Sequence, residues 1–170
     1  MTLAQLNRLP RPAFERELGG IFEHSPWVAS RAYAAHPFTS IDALHAAMMS
    51  VVRSATREEQ LALVRAHPEL AGAEAKAGTL TAHSTGEQAR LGLNALSGEE
   101  FARIGELNRR YRSKFGFPCI VALRLHASRA SVLAEMERRL GNSAEDELRN
   151  ALEQIGHIAR GRLGKFFGER

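Results

Sequence analysis

Three short motifs in this sequence combine residue types that can transfer protons or bind an anion. The first motif is His67-Pro68. A residue before proline is disfavoured in helical geometry, so we expect His67 to lie where a helix ends and the chain turns. The negative end of the helix dipole favours a protonated imidazole, which suits a proton donor near neutral pH. Histidine is also a common last-turn residue, so this position alone leaves catalysis and capping both open.

The second motif is the run Ser84-Thr85-Gly86-Glu87-Gln88, which offers two hydroxyls, a carboxylate and an amide. We expect a helix to begin at Ser84, where unpaired backbone N–H groups would favour an anion. The same residues fit the capping box Ser84-x-x-Glu87, which is common at helix starts. The run therefore predicts a capped helix start that can also serve as the polar wall of a pocket.

The third motif runs from Asn108 to Pro118. Its residues Asn108, Tyr111 and Phe115 share one helical face, and the following Gly-Phe-Pro sequence ends that helix. We expect the backbone of the next apolar residues to donate hydrogen bonds to a ureide or a carboxylate, while their side chains pack in the core. These residues are Cys119, Ile120, Val121, Ala122 and Leu123.

Two further candidates come from single residue types. Cys119 could act as a nucleophile with His67 as its base, but apolar neighbours and the lack of a thiolate-stabilising charge favour a packed thiol. Near the C-terminus, an inward-facing arginine, Arg160 or Arg162, could bind a substrate carboxylate through two parallel hydrogen bonds. Nucleic-acid binding is not favoured, because acidic residues interrupt the basic face; they are Glu145, Asp146, Glu147 and Glu153.

Helices should position all of these residues. Helical periodicity runs through almost the whole chain, and its breaks carry helix start and stop residues rather than hairpin turns. The stretch from Pro68 to His83 is rich in Ala, Gly and Thr, and predicts an irregular segment with one short helix. We therefore expect an all-α, single-domain bundle of about eight to nine helices over residues 1–170. The predicted N-caps include Ser40, Thr56, Ser97, Ser128 and Ser143.

Composition limits the classes of protein. The chain has 170 residues, 44% hydrophobic and 25% charged, which is enough for one sizeable core. Its 23 Lys and Arg against 19 Asp and Glu suit an anionic ligand. The single cysteine excludes an internal disulfide, no zinc-type Cys/His spacing occurs, and no apolar run approaches the roughly 20 residues that cross a bilayer. Without a signal-peptide pattern, we expect a cytoplasmic protein that binds neither nucleic acid nor membrane.

The three motifs together resemble the signature blocks of a known enzyme family. The blocks are His67-Pro68-Glu69-Leu70-Ala71-Gly72, Ser84-x-x-Glu87-Gln88 and Asn108-x-x-Tyr111-x-x-Lys114-Phe115-Gly116-Phe117-Pro118. In order and spacing they are similar to those of the 2-oxo-4-hydroxy-4-carboxy-5-ureidoimidazoline (OHCU) decarboxylases. This resemblance implies an all-α homodimer that converts the product of 5-hydroxyisourate hydrolysis into (S)-allantoin without a metal or organic cofactor. It also implies functional coupling to urate oxidase and hydroxyisourate hydrolase.

The resemblance also implies roles for individual residues. His67 would be the catalytic acid or base, Glu87 the second catalytic group, and Pro68 a neighbour of the substrate. Residues 84–88 and the backbone of residues 119–123 would contact the substrate, as would Arg162, with Arg160, which lies within the same helical turn, as the alternative. We expect Glu87 to exchange a proton with the substrate hydroxyl and His67 to manage the proton that sets the stereocentre, although these roles could be exchanged.

Two alternatives differ from this interpretation. A related decarboxylase would act on another ureido acid through the same residues. A helical partner-binding domain would keep the fold without catalysis, and it predicts no loss of biological activity in His67→Asn.

Overall fold

The structure, a computed structural model, describes residues 1–170 and is entirely helical. The all-α prediction is confirmed, with ten α-helices rather than about eight to nine because a short first helix, capped by Thr2, was not expected. None of the helices is long and apolar enough to cross a membrane. The helices are α1 Leu3–Leu6, α2 Arg11–Leu18, α3 Trp27–Ala32, α4 Ile41–Ser54, α5 Arg57–Arg65, α6 Ala73–Ala77, α7 Ala82–Arg90, α8 Gly98–Phe115, α9 Arg129–Arg139 and α10 Ala144–Phe167.

The chain divides into two compact units. The terminal unit comprises residues 1–66 and 156–170, and the central unit comprises residues 67–155. In the terminal unit, Phe14 packs edge-on against Tyr33 with ring centroids 5.1 Å apart. Helix α4 buries its apolar side chains Leu44, Met48, Met49 and Val52. In the central unit, Tyr111 of α8 packs against Phe115 and Phe117. Each unit therefore has its own buried apolar side chains, and the single-domain expectation stays a prediction.

Most predicted helix starts are confirmed. Ser40 accepts a hydrogen bond from the N–H of Ala43, and complete capping boxes begin α5 at Thr56 and α8 at Ser97. The hydroxyl of Ser128 accepts from the N–H of Ser131 at the start of α9, and the hydroxyl of Ser143 accepts from the N–H of Asp146 at the start of α10. These caps join residues only three positions apart, so local sequence is enough to predict them.

The predicted helix start at Ser84 is wrong. Helix α7 begins three residues earlier, because Thr81 accepts the hydrogen bond from the N–H of Ser84 at 3.2 Å. Residues 84–88 therefore lie within the helix, where the N–H groups from Thr85 onward bond to carbonyls four residues back. The helix N-terminus, which was expected at Ser84 as an anion site, lies at Thr81 instead, and the Ser84 N–H is already bonded to the Thr81 hydroxyl.

The segment after α8 is buried but irregular. Helix α8 ends at Gly116, whose φ of 76° is a left-handed conformation that glycine adopts without steric cost. The chain then runs through buried residues 117–122 without regular structure and forms a short 3-10 helix at Leu123–Leu125. This is the segment in which we expected the backbone to present hydrogen-bond donors.

Candidate functional site

The His67-Pro68 motif lies just beyond the end of α5. That helix ends at Arg65 with Ala66 as its C-cap, close to the predicted end near His67. The His67 side chain is 6% exposed and is therefore buried although it follows a helix end. The motif opens a short segment, residues 67–72, that precedes α6.

Two buried amides hold this segment within the central unit. The N–H of Ala71 donates to Gln88 Oε1 at 2.9 Å, and Gln88 Nε2 donates to the Glu69 carbonyl at 3.4 Å. Asn108 Nδ2 donates to the Leu70 carbonyl at 2.9 Å. Gln88 belongs to α7 and Asn108 to α8, so both helices fix the backbone that follows His67.

Helix α7 separates the five residues of the second motif. Ser84 and Gln88 are buried and Glu87 is half-buried, whereas Thr85 and Gly86 are exposed. The Thr85 hydroxyl donates to the Thr81 carbonyl at 2.9 Å. The structure thus places Ser84, Glu87 and Gln88 on the covered side of the helix.

The third candidate segment, residues 119–123, is held through its backbone. The Ile120 carbonyl accepts from Arg139 Nη1 at 2.5 Å, and the N–H of Ala122 donates to Gln154 Oε1 at 2.8 Å. The Leu123 carbonyl accepts from Arg90, the last residue of α7. The side chains of this segment are buried, and the N–H groups of Cys119, Ile120 and Val121 make no hydrogen bond within the chain.

Cys119 is a packed thiol. Its side chain is buried, and burial raises the pKa of the thiol to about 12 although Arg139 lowers it. A thiol with that pKa is almost entirely protonated at neutral pH, so it is a poor nucleophile. Cys119 can therefore contribute packing and backbone to the site, but not covalent chemistry.

Arg160 and Arg162, both in the terminal unit, differ in how far they are buried. Arg162 is 2% exposed, and its Nη1 donates to Glu23 Oε2 at 2.8 Å and to the Ile21 carbonyl at 3.3 Å. Arg160 is more exposed, and its guanidinium bonds to Asp42 and Glu169. Arg162 is thus the buried arginine of the pair, and its contact with substrate stays a prediction.

A buried charged cluster in the central unit was not predicted. Arg139 and Glu147 form an ion pair with an Nη2 to Oε2 distance of 2.9 Å, and Tyr111 donates to the same carboxylate. The expectation that Glu147 is one of the acids of an exposed face is wrong, because this residue is 0% exposed. A sequence signal existed, since Arg139 continues the buried stripe of Val132 and Met136 at helical spacing.

One cavity of the central unit lies beside α7. It has a volume of about 420 Å³ and includes Thr85 and Gln88 in its lining, but neither His67, Glu87 nor residues 119–123. We therefore do not place the reaction in that cavity. No group of three or more His, Cys, Asp or Glu side chains is arranged to hold a metal ion.

The fold and these residues define an all-helical protein with a buried histidine beside proline and a segment of unpaired backbone donors. The sequence profile of the OHCU decarboxylases matches residues 7–164. The chain belongs to the OHCU decarboxylase family.

Curated relatives and solved structures agree with this membership. The chain is 41% identical to the 2-oxo-4-hydroxy-4-carboxy-5-ureidoimidazoline decarboxylase of Haloferax volcanii, over 98% of this chain and 96% of that protein. It is 38% identical to a uric acid degradation bifunctional protein of a Bacillus species, over 99% of this chain but 33% of the longer protein. A crystal structure of (S)-allantoin synthase matches with a TM-score of 0.76 and 31% identity, over 98% of this chain and 54% of that one.

Proposed function

We propose that this protein decarboxylates OHCU to (S)-allantoin in the breakdown of urate. The observation that carries the proposal is the family match over residues 7–164, which includes all three motifs. The buried His67 and the unpaired backbone donors of residues 119–121 supply the two kinds of group that the reaction needs: a proton carrier and hydrogen-bond donors.

The substrate itself provides the electron sink. Its C4 carries the carboxylate and a hydroxyl and adjoins C5, which is doubly bonded to N1. When the bond from C4 to the carboxylate breaks, its electron pair forms a C4=C5 bond, and the C5=N1 pair moves to N1, which takes up a proton. The hydroxyl proton then leaves as C4 becomes a carbonyl, and C5 takes up a proton. One proton is consumed for each CO2 released, so the protein must chiefly position groups that move protons.

We assign these proton transfers to His67 and Glu87. Glu87 exchanges a proton with the substrate hydroxyl, and His67 delivers the proton to one face of C5, which determines the S configuration. The reverse assignment uses the same two groups. Pro68, Ser84, Gln88, residues 119–123 and Arg162 bind the substrate in this proposal, while Thr85 and Gly86 have a smaller part because they are exposed.

The test is circular dichroism of a reaction in which urate oxidase and hydroxyisourate hydrolase generate the substrate. We expect the wild-type protein to accelerate formation of the (S)-allantoin signal. In His67→Asn we expect the rate to fall by about 10²- to 10⁴-fold, the usual contribution of a general acid or base.

The matched control is His24→Asn. His24 is exposed and has a φ of 46°, a conformation that asparagine tolerates well. Full activity in His67→Asn would contradict the catalytic assignment of His67. A folded wild-type protein that does not accelerate (S)-allantoin formation would favour a non-catalytic partner-binding domain. A folded wild-type protein that leaves OHCU unchanged but decarboxylates another ureido acid would support the related decarboxylase instead.

We further propose that the protein works as a homodimer without a cofactor and that it acts beside the enzymes that make its unstable substrate. The bifunctional relative supports this coupling, because a segment similar to this chain forms 33% of a protein named for uric acid degradation. Light scattering after size exclusion measures the oligomeric state. A monomer at assay concentration would contradict the dimer.

A further inference from the structure

The backbone of residues 119–123 is held at three points by side chains of the central unit. Arg139 bonds to the Ile120 carbonyl, Gln154 to the N–H of Ala122, and Arg90 to the Leu123 carbonyl. An irregular segment does not satisfy its own polar groups as a helix does, so these contacts determine the direction of each peptide. The contact at Ile120 is the most buried of the three, since Arg139 is 2% exposed.

The contact at Ile120 also determines where an N–H group points. The Ile120 carbonyl and the Val121 N–H belong to one trans peptide, in which the two groups point in opposite directions. The guanidinium on the carbonyl side therefore aims the Val121 N–H away from Arg139. That N–H makes no hydrogen bond within the chain. It is therefore a donor of fixed direction without a partner in the chain.

Glu147 in turn fixes Arg139. Arg139 Nε lies 3.0 Å from Glu147 Oε2, and Asn142 Nδ2 and Asn150 Nδ2 donate to Oε1 at 2.8 and 3.0 Å. Tyr111 donates to Oε2 as well. These four side chains hold the Glu147 carboxylate in place. Because Arg139 bonds to that carboxylate, its guanidinium has little freedom to turn.

Stability alone does not explain such a cluster. Replacing a buried ion pair with apolar residues of similar volume is often neutral or stabilising, because both charges are desolvated on folding. Each of these two residues is at least 98% buried. A role in holding the backbone at Ile120 would explain why Arg139 and Glu147 are charged residues although both are buried.

We propose that Arg139, fixed by Glu147, is a positioning residue that aims the Val121 N–H at a substrate oxygen which gains negative charge during decarboxylation. This inference rests on the proposed function. Electrons that reach N1 of OHCU are delocalised onto the adjacent 2-oxo group, so that oxygen is the one that a fixed donor would stabilise in the transition state. A donor aimed at the departing carboxylate would instead stabilise the ground state.

The test compares kcat and KM in variants of the full chain. In the double variant Arg139→Met/Glu147→Leu we expect a lower melting temperature, because Tyr111, Asn142 and Asn150 lose their acceptor and the Ile120 carbonyl loses its donor. We expect the folded protein to have a kcat lowered at least about tenfold with a smaller change in KM, as for loss of one oriented donor. The control is Arg138→Met, which changes an exposed arginine on the same helix. A folded double variant with wild-type kcat would overturn the proposal.

Arg139→Lys provides the second arm, which also applies where the double variant does not fold. Lysine keeps a positive charge for Glu147, but a single nitrogen cannot reproduce the guanidinium's separate contacts with the carboxylate and the Ile120 carbonyl. We expect a folded protein with reduced kcat. Complete rescue of kcat by lysine would show that charge alone matters and would overturn the positioning role. A wild-type protein without OHCU decarboxylase activity would overturn the proposed function itself, so the two failures are distinguishable.

Discussion

The two predicted substrate-binding segments differ in which groups they could present to a ligand: side chains in residues 84–88 and backbone N–H groups in residues 119–123. The first segment lies inside α7, where the backbone N–H groups bond within the helix and only side chains are available. In the second segment the side chains are buried in the core, while the N–H groups of residues 119–121 make no hydrogen bond within the chain. The identity of the covered side chains should therefore matter to activity in residues 84–88, and the course of the backbone should matter in residues 119–123.

The largest expected effect of this difference is at Glu87. We expect Glu87→Gln to lower kcat by about 10²- to 10⁴-fold if Glu87 is a proton carrier. Stability should change little, because Thr81 rather than Ser84 caps the helix and Glu87 is not part of a capping box. The measurement is the (S)-allantoin dichroism assay combined with thermal melting.

The control for Glu87 is Glu99→Gln, which alters an exposed carboxylate in the first turn of α8. An equal loss of rate in both variants, or full turnover in Glu87→Gln, would remove Glu87 from the catalytic pair.

An intermediate effect is expected from a matched pair of hydroxyl deletions on α7. Ser84 is buried and Thr85 is exposed, so Ser84→Ala should lower kcat/KM by about fivefold, the value of one hydrogen bond of roughly 1 kcal/mol. Thr85→Ala should change it less than about twofold, because surface substitutions usually have small effects. Steady-state kinetics on both variants measures the contrast. Equal effects would mean that substrate contacts both sides of the helix.

The smallest effect on activity is expected at Cys119. Cys119→Ala keeps the backbone and removes a buried sulfur, so we expect a loss of about 1 kcal/mol in the free energy of unfolding with kcat within about twofold of wild type. Native wild-type protein should also resist iodoacetamide, because the thiol is buried and has a pKa of about 12. Rapid inactivation of the native protein by that reagent would contradict a purely structural side chain.

Local sequence is sufficient where the deciding contact joins near neighbours. Ser40, Thr56 and Ser97 cap the helices that they are predicted to cap, since a capping hydroxyl bonds to an N–H three residues later. Local sequence is insufficient at α7, where Thr81 and Ser84 both have the chemistry of an N-cap and lie three residues apart. The path by which the chain enters the helix selects Thr81, and that path depends on packing.

In the candidate site, too, local sequence indicates some features and packing decides the others. The residue types and the order of the three motifs are enough to indicate the family and to single out His67, Glu87 and residues 119–123. The second motif does not distinguish Ser84 from Thr85, because inward and outward positions of one helix differ only in what covers them. The family resemblance favours Arg162 over Arg160, and the structure adds that Arg162 is the buried one of the two.

The sequence by itself determined the all-α class, most helix boundaries and the chemical character of the candidate residues, because these depend on helical period, on caps three residues apart and on motif spacing. Only the tertiary structure decided that Glu147 is buried against Arg139 and that this arginine holds the Ile120 carbonyl. Arg139 and Glu147 lie on different helices, and the carbonyl is 19 residues from Arg139. Such contacts form only when packed helices bring distant residues together, so no local pattern specifies them.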